Sequence, residues 1–168
     1  MPDYLPHQMV APSGLPDKSG SICLGACVWF WKKLDGKVYL LAQKRAASVD
    51  NGGFYDMSSG GHLDKGESPL SAALRETREE IGISVSPDEV YYLLSSNVGK
   101  KIIHYYLSDR TEKDDVFTLD PSEVESLEWI ALKDFDNFIQ SRGKPPLRKN
   151  VHQLALLKDY LTSKAKES

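Results

Sequence analysis

Cysteine is scarce in this sequence, with only Cys23 and Cys27 among 168 residues. Their spacing does not match common zinc patterns, and there is no second pair to complete a site. On a strand the two would share one face about 13 Å apart at ~3.3 Å rise per residue, too far for a disulfide. Two free thiols in a reducing compartment are therefore expected. Long apolar runs are missing too, since none approaches the ~18 residues of a membrane span. The opening Met1-Pro-Asp-Tyr-Leu-Pro6 lacks the basic stretch followed by an apolar one that marks a signal peptide. There is also no surplus of positive charge. Lys and Arg number 21 against 24 Asp and Glu, for a net charge of -3. That balance argues against stable nucleic-acid binding or a general affinity for anionic membranes, although a local basic patch stays open. Together these absences predict a soluble cytoplasmic protein with a small-molecule partner. A homodimer is a further candidate assembly.

The residues that are present suit one folded domain. A hydrophobic content of 40% supplies one core at this length. Residues 1–20, punctuated by proline and glycine, read as an extended N-terminal segment, and 21–168 as a single domain. The apolar run Ser21–Lys33 and the stretch Lys37–Gln43 flank Asp35-Gly36, a tight-hairpin signal. Ala46–Gly53 reads as a loop, and Phe54–Ser58 as a short extended stretch before Gly60-Gly61. Ser68 as cap and Pro69 at the first position open the strongest helix, which runs to Ile81 and closes at Gly82. A second hairpin pairs 89–98 with 100–108. Residues 111–122 read as a loop, 124–132 as a strand, and 133–140 as a short helix. After a break at 143–146, Val151, Leu154, Leu157 and Leu161 fall at helical spacing. This order predicts an α/β fold built on a mixed β-sheet.

Chemistry concentrates in Gly61-His-Leu-Asp-Lys-Gly-Glu67 and Arg75-Glu76-Thr-Arg-Glu79-Glu80-Ile-Gly82. On a helix Glu76, Glu79 and Glu80 stand at i, i+3 and i+4, so their carboxylates share one face. Glu67 lies in the turn that feeds this helix. Clustered carboxylates usually mean only a solvated face, and exposed like-charge pairs cost just ~0.2–0.5 kcal/mol. Here the surroundings favour function. Gly60 and Gly61 allow a close backbone approach, and Arg75 stands where it can hold a carboxylate. Mg²⁺ or Mn²⁺ is the natural counter-charge for such an oxygen-rich set.

Gly61, Glu67 and Arg75-Glu76-Thr77-Arg78-Glu79-Glu80-Ile81-Gly82-Ile83, at these spacings, resemble the Nudix box of the Nudix hydrolases. The one soft departure is Thr77, where that family usually has an aliphatic residue. Flanking features extend the likeness over about residues 21–140. The resemblance implies the Nudix-type α/β/α sandwich. It also implies metal-dependent hydrolysis of a diphosphate linkage in a nucleoside diphosphate joined to another moiety. By position, Glu76, Glu79 and Glu80 would bind the metal, the Gly60 carbonyl and Glu67 would complete its shell, and Arg75 would orient the glutamates. Glu79 is the candidate base within the box. Outside it, Glu123 fits best among the acids before Trp129, with Glu125 in reserve. Arg45 occupies the place where similar proteins carry a basic residue near the substrate phosphates. His62, His104 and His152 read as packing or surface residues, and Trp29, Phe30, Trp31, Tyr105 and Tyr106 as core.

Two alternatives follow from the same residues. Tyr55-Asp-Met-Ser-Ser-Gly-Gly-His62 looks like the branch containing isopentenyl-diphosphate isomerase, but the cysteine that chemistry needs near Gly60 is absent from the local sequence. A catalytically silent binding module would be favoured by a lost box glutamate, and all are present. Markers of ADP-ribose or dinucleoside-polyphosphate branches are not found at Asn97–Lys100, so the substrate within the class stays open.

Overall fold

A computed structural model describes residues 23–98, 100–109 and 116–167. The expected N-terminal segment, the first residues of the expected first strand, part of the second hairpin's turn and the first half of the 111–122 loop lie outside them. Seven strands form one mixed sheet. β1 (Cys23–Leu34) and β2 (Lys37–Arg45) reverse through Asp35 and Gly36, both at positive φ (51° and 75°). Such a turn matches the right-handed twist of its strands. The sheet order is β3-β2-β1-β6-β5, where β3 is Tyr55–Asp56, β5 is Tyr91–Val98 and β6 is Lys101–Ser108. β4 (Ser59–His62) pairs with β1, and β7 (Val124–Ala131) pairs with β2. Among the described strands, β1 and β6 run parallel and the other paired strands are antiparallel.

Helices cover both faces, which explains the unbroken apolar run of β1, since a strand buried on both sides has no polar alternation. Ala26, Val28 and Phe30 face helix α1 (Pro69–Ile81), whose Ala72, Ala73 and Ile81 are fully buried. Trp29 and Trp31 point the other way, with Leu40, Tyr105 and Leu107. They meet Phe135 and Ile139 of α2 (Phe135–Arg142) and Leu154, Leu157 and Leu161 of α4 (Val151–Ala165). The layers are α/β/α, as expected. No described helix is long and apolar enough to cross a membrane.

Local signals set the limits of α1. The Ser68 hydroxyl accepts from Ser71 N at 3.1 Å, and Pro69 takes the first helical position. Gly82 closes the helix at φ 76° with its N–H on Arg78 O, and a β-carbon there would collide with Thr118. Thr77 is fully buried, and its hydroxyl is satisfied by Ala73 O and Ser59 Oγ, each at 2.7 Å. A hydroxyl replaces the usual aliphatic group there without leaving a buried polar atom unpaired.

Several boundaries differ from the sequence reading. Gly60 and Gly61 lie inside β4 rather than after a strand, because pairing with β1 supplies order their composition does not advertise. The strand expected from 89 begins at Tyr91, after a capped 3₁₀ turn at Pro87–Glu89. The short helix starts at Phe135, following a 3₁₀ turn at Leu132–Asp134. The expected break at 143–146 contains the start of a one-turn helix, α3 (Pro145–Lys149). Two prolines can begin a helix even though they would end one.

Thr77→Val keeps the shape but strips the buried Ser59 hydroxyl of its partner. We expect a loss of about 1–2 kcal/mol in denaturant unfolding. Adding Ser59→Ala should cost less than the two single changes summed.

Candidate active site

The site forms where β1 divides between partners. It pairs with β6 along Cys23–Phe30 and with β4 along Gly25–Val28, and its last four residues pair with β2. The fork is floored by residues without side chains. Gly60 lies opposite Cys27 and Gly61 opposite Ala26. A β-carbon on Gly60 would stand 2.5 Å from Cys27 Sγ, and one on Gly61 2.4 Å from Glu76 Oε1. Close approach to Cys27 and the Ala26 carbonyl thus favours glycine at 60, while a side chain at 61 would displace the Glu76 carboxylate. Leu63 N donates to Leu24 O at 3.0 Å, which fixes the phase of the ladder. Gly60 then sits at a non-hydrogen-bonded position and turns its N–H and C=O away from β1. That N–H donates to Glu80 Oε1 at 2.7 Å.

Arg75 organises the other carboxylates. Its Nε and Nη2 donate to the two oxygens of Glu67 at 2.9 and 3.0 Å, and Nη1 donates to Glu76 at 3.0 Å and Glu79 at 3.1 Å. Nη2 also reaches the His62 carbonyl at 3.0 Å, locking the fan to β4. The two-pronged bond from Arg75 holds the Glu67 carboxyl below its ordinary value, against a smaller upward push from burial. Glu76 moves the other way. Burial pushes its carboxyl up despite Arg75, and the charges of Glu79 and Glu123 add to the rise. Glu80 is 7% exposed, and burial pushes its carboxyl up to about 8 although Gly60 N and Gln43 Nε2 both donate to it.

These are the marks of a site short of positive charge. Among the described residues no three acidic, histidine or thiol side chains already stand at cation-binding spacing, and Arg75 bridges Glu76 and Glu79 instead. The donor set nevertheless fits Mg²⁺ or Mn²⁺. Glu76 and Glu80 are carboxylates that burial disfavours as anions, all donors are hard oxygens, and the Gly60 carbonyl faces the same side. Glu79, whose side chain is 53% exposed, is the least constrained of the three box glutamates.

The glutamates line one end of a cavity of about 810 Å³. Glu123 lines it as well. Its N–H donates to Asp120 O and its carbonyl accepts from Ala46 N, both at 3.0 Å, while Thr118 N and Asp120 N donate to the last carbonyls of α1. The described part of the 111–122 loop is thus fastened to the C-terminus of α1. Glu125 instead pairs with Lys44 at 3.0 Å and does not line the cavity. Arg45 lines it with its guanidinium engaged by Asp56 Oδ2 at 3.1 Å and the Asp50 carbonyl at 2.6 Å. His62, read from sequence as a packing or surface residue, also lines the cavity.

Three contributors were missed by sequence reasoning. Gln43, only 2% exposed, links Glu80 to the Ser58 carbonyl; a glutamine ending an apolar strand run was the available signal. Lys144 binds Asp56 at 2.6 Å, a pairing across 88 positions that no local pattern announces. Cys27 packs against Gly60, so a thiol does stand near that glycine, brought from a different strand than the one searched.

Comparison with known proteins places these features in a family. The NUDIX domain model matches residues 24–154. An uncharacterised Nudix hydrolase of Clostridium acetobutylicum is 28% identical over 123 residues, which is 68% of this chain and 59% of that protein. Nudix hydrolase 3 of Arabidopsis thaliana is 26% identical over 76% of this chain, but the match spans only 18% of the plant protein. Among solved structures, the Caenorhabditis elegans Ap4A hydrolase in a binary complex superposes with a TM-score of 0.62 at 23% identity. That match covers 84% of this chain and 99% of the nematode chain.

The charge deficit at Glu80 has a thermal consequence. Its folded-state value, about 8, lies above the ordinary 4.5, so the neutral form is the one the fold favours. Its contribution is complete below about 4.5 and is lost as pH rises through about 8. In chelator, wild-type melting temperature should fall across that window relative to Glu80→Gln. Parallel curves for the two proteins would exclude the effect.

Proposed function

The chain belongs to the Nudix family, and from that premise we propose that it is a pyrophosphohydrolase. It cleaves a diphosphate linkage in a nucleoside diphosphate joined to another moiety, in a metal-dependent reaction. The observation that carries the reading is the set of box carboxylates held by one guanidinium around a glycine-floored cavity. Glu76, Glu79 and Glu80 with the Gly60 carbonyl would hold Mg²⁺ or Mn²⁺, and Glu67 stands beside them as a further oxygen donor. When bound, such ions neutralise non-bridging phosphate oxygens and make water nucleophilic near neutral pH.

The chain's own residues do the rest. Arg75 fixes the directions of Glu67, Glu76 and Glu79 through its ion pairs. Glu123 faces the cavity close enough for its charge to act on Glu76, and we assign it the removal of a proton from the attacking water, with Glu79 as the base if Glu123 is not. Arg45 lies at the cavity wall, where its planar fork suits a phosphate, and Asp56 keeps it aimed. The likeness to an Ap4A hydrolase supports a nucleotide substrate of this general kind. A cytosolic setting agrees with two free thiols.

Cys27 gives the isomerase alternative a specific residue to consider. Its thiol is only 8% exposed and burial pushes its pKa far up, which keeps it neutral and unreactive. The intact glutamate set favours hydrolysis over both the isomerase and a silent binding module.

A panel of nucleoside diphosphate derivatives, assayed with Mg²⁺ and with excess chelator, tests the reading. Turnover should require the metal, and Glu123→Gln should lower kcat by ~10²–10⁴-fold with little change in KM. Glu125→Gln should stay near the wild-type rate. Equal rates in both variants would move the base to Glu79, and turnover in chelator would overturn the reading.

A further inference from the structure

Two cations converge on one carboxylate oxygen beside the glutamates. Lys144 Nζ and Arg45 Nη1 both meet Asp56 Oδ2, at 2.6 and 3.1 Å, while Asp56 Oδ1 accepts from Met57 N at 2.8 Å. One carboxylate cancels one of the two charges, so the cluster carries a surplus of one positive charge. Among the described residues neither cation pairs with a second carboxylate, and the Arg45 Nε donates to a carbonyl, that of Asp50. The Lys144, Arg45 and Asp56 side chains are 18%, 21% and 10% exposed. A surplus charge so sheltered is costly unless an anion can reach it.

Strand register fixes where this surplus sits. Asp56 on β3 lies opposite Gln43 on β2, and directly opposed side chains share a face of the sheet. Gln43 in turn reaches Glu80 at 3.2 Å. Arg45 stands two residues beyond Gln43 on the same strand and therefore on the same face. Neighbouring strands lie ~4.8 Å apart, so Asp56 stands about one strand from the residue that touches Glu80. Burial pushes the Cys27 thiol up, Asp56 adds to that rise and Lys144 opposes it, so both charges are felt beside Gly60. Lys144, Arg45 and Asp56 line the same cavity as the box glutamates. The backbone of Lys144 is pinned as well. Its N–H donates to Tyr55 O at 2.8 Å, and its carbonyl accepts from Leu147 N and Arg148 N at 3.0 and 3.1 Å. The ammonium is thus presented from a fixed point between β3 and α3.

We propose that Lys144 is a substrate-binding residue of the hydrolytic site, taking diphosphate oxygens together with Arg45 on the side away from the glutamates. The proposal rests on the hydrolase reading, which it deepens by naming a phosphate contact that no local sequence pattern marks. Asp56 holds the two cations in place, and the phosphate supplies the second negative charge that Asp56 alone cannot. No bond is made or broken at Lys144; its ammonium acts by charge and by hydrogen bonding to non-bridging oxygens.

Removing the charge of Asp56 separates this role from simple pairing. If Lys144 serves only to neutralise Asp56, its loss is harmless once Asp56 is neutral; if it binds phosphate, the loss persists. Binding of α,β-methylene-ADP, whose carbon bridge resists cleavage, is measured by calorimetry on the full chain with saturating Mg²⁺. Lys144→Met should weaken it by about tenfold or more, the scale of one charge-assisted hydrogen bond, both in the wild type and in an Asp56→Asn background. Arg45 still pairs with Asp56 in Lys144→Met, so no buried charge is left alone. Lys158→Ala removes a lysine that pairs with Asp136 outside the cavity; it controls for net charge and should bind as the wild type does. A loss that vanishes in the Asp56→Asn background, no loss in either background, or no binding to the wild type would overturn the assignment. Failure to hydrolyse any nucleoside diphosphate derivative with Mg²⁺, with the Lys144 dependence of binding intact, would overturn the hydrolase reading alone.

Discussion

Arg75 is the counter-charge shared by Glu67 in the loop before α1 and by Glu76 and Glu79 on the helix itself. Without it, Glu67, Glu76 and Glu79 would repel and turn to solvent, as glutamates on exposed helix faces do. With it, the loop before α1 is tied to the helix through Glu67, and both are tied to β4 through the His62 carbonyl. The contribution is geometric more than energetic, because the pairs at Glu79 and Asp64 are largely exposed and individually weak. One guanidinium thereby sets the directions of the carboxylates that any chemistry here must use.

That arrangement needs β4 to lie unusually close to α1 on one side and to β1 on the other. Gly60 and Gly61 meet this need by omission, each leaving space that Cys27 Sγ or Glu76 occupies. The division of β1 between two sets of partners opens the fork beneath them. Glu80 is then driven into the fork, where the Gly60 N–H and Gln43 meet its oxygens but supply no full charge. Hydrogen bonding satisfies the carboxylate only in part, and a divalent cation would supply the remainder.

Much of this was legible in the sequence because it is local. Glu76, Glu79 and Glu80 fall at helical spacing, Ser68 and Gly82 punctuate that helix, and Arg75 lies one residue from Glu76. The same locality explains what was not legible. Gly60 and Gly61 read as the end of a strand because their order comes from β1, more than 30 positions earlier. Lys144 read as part of a proline-containing break because its partner, Asp56, lies on β3. Cys27 looked remote from Gly60 until antiparallel pairing set the two side by side. Glu123 and Glu125 were indistinguishable as acids before Trp129; the bulge in the β2–β7 ladder at Lys44/Arg45 falls at this point, and only the fold turns one towards the cavity and the other towards Lys44.

The central claim is that the carboxylates around Gly60 form a divalent-metal site that Arg75 keeps in readiness. Calorimetric titration of Mn²⁺ into exhaustively chelated protein tests it most directly, free of any choice of substrate. The account predicts saturable binding in the wild type, weakened by about tenfold or more in Glu76→Gln and in Glu80→Gln, with Glu125→Gln indistinguishable from wild type. Absence of saturable binding, or equal affinity in all four proteins, would contradict it.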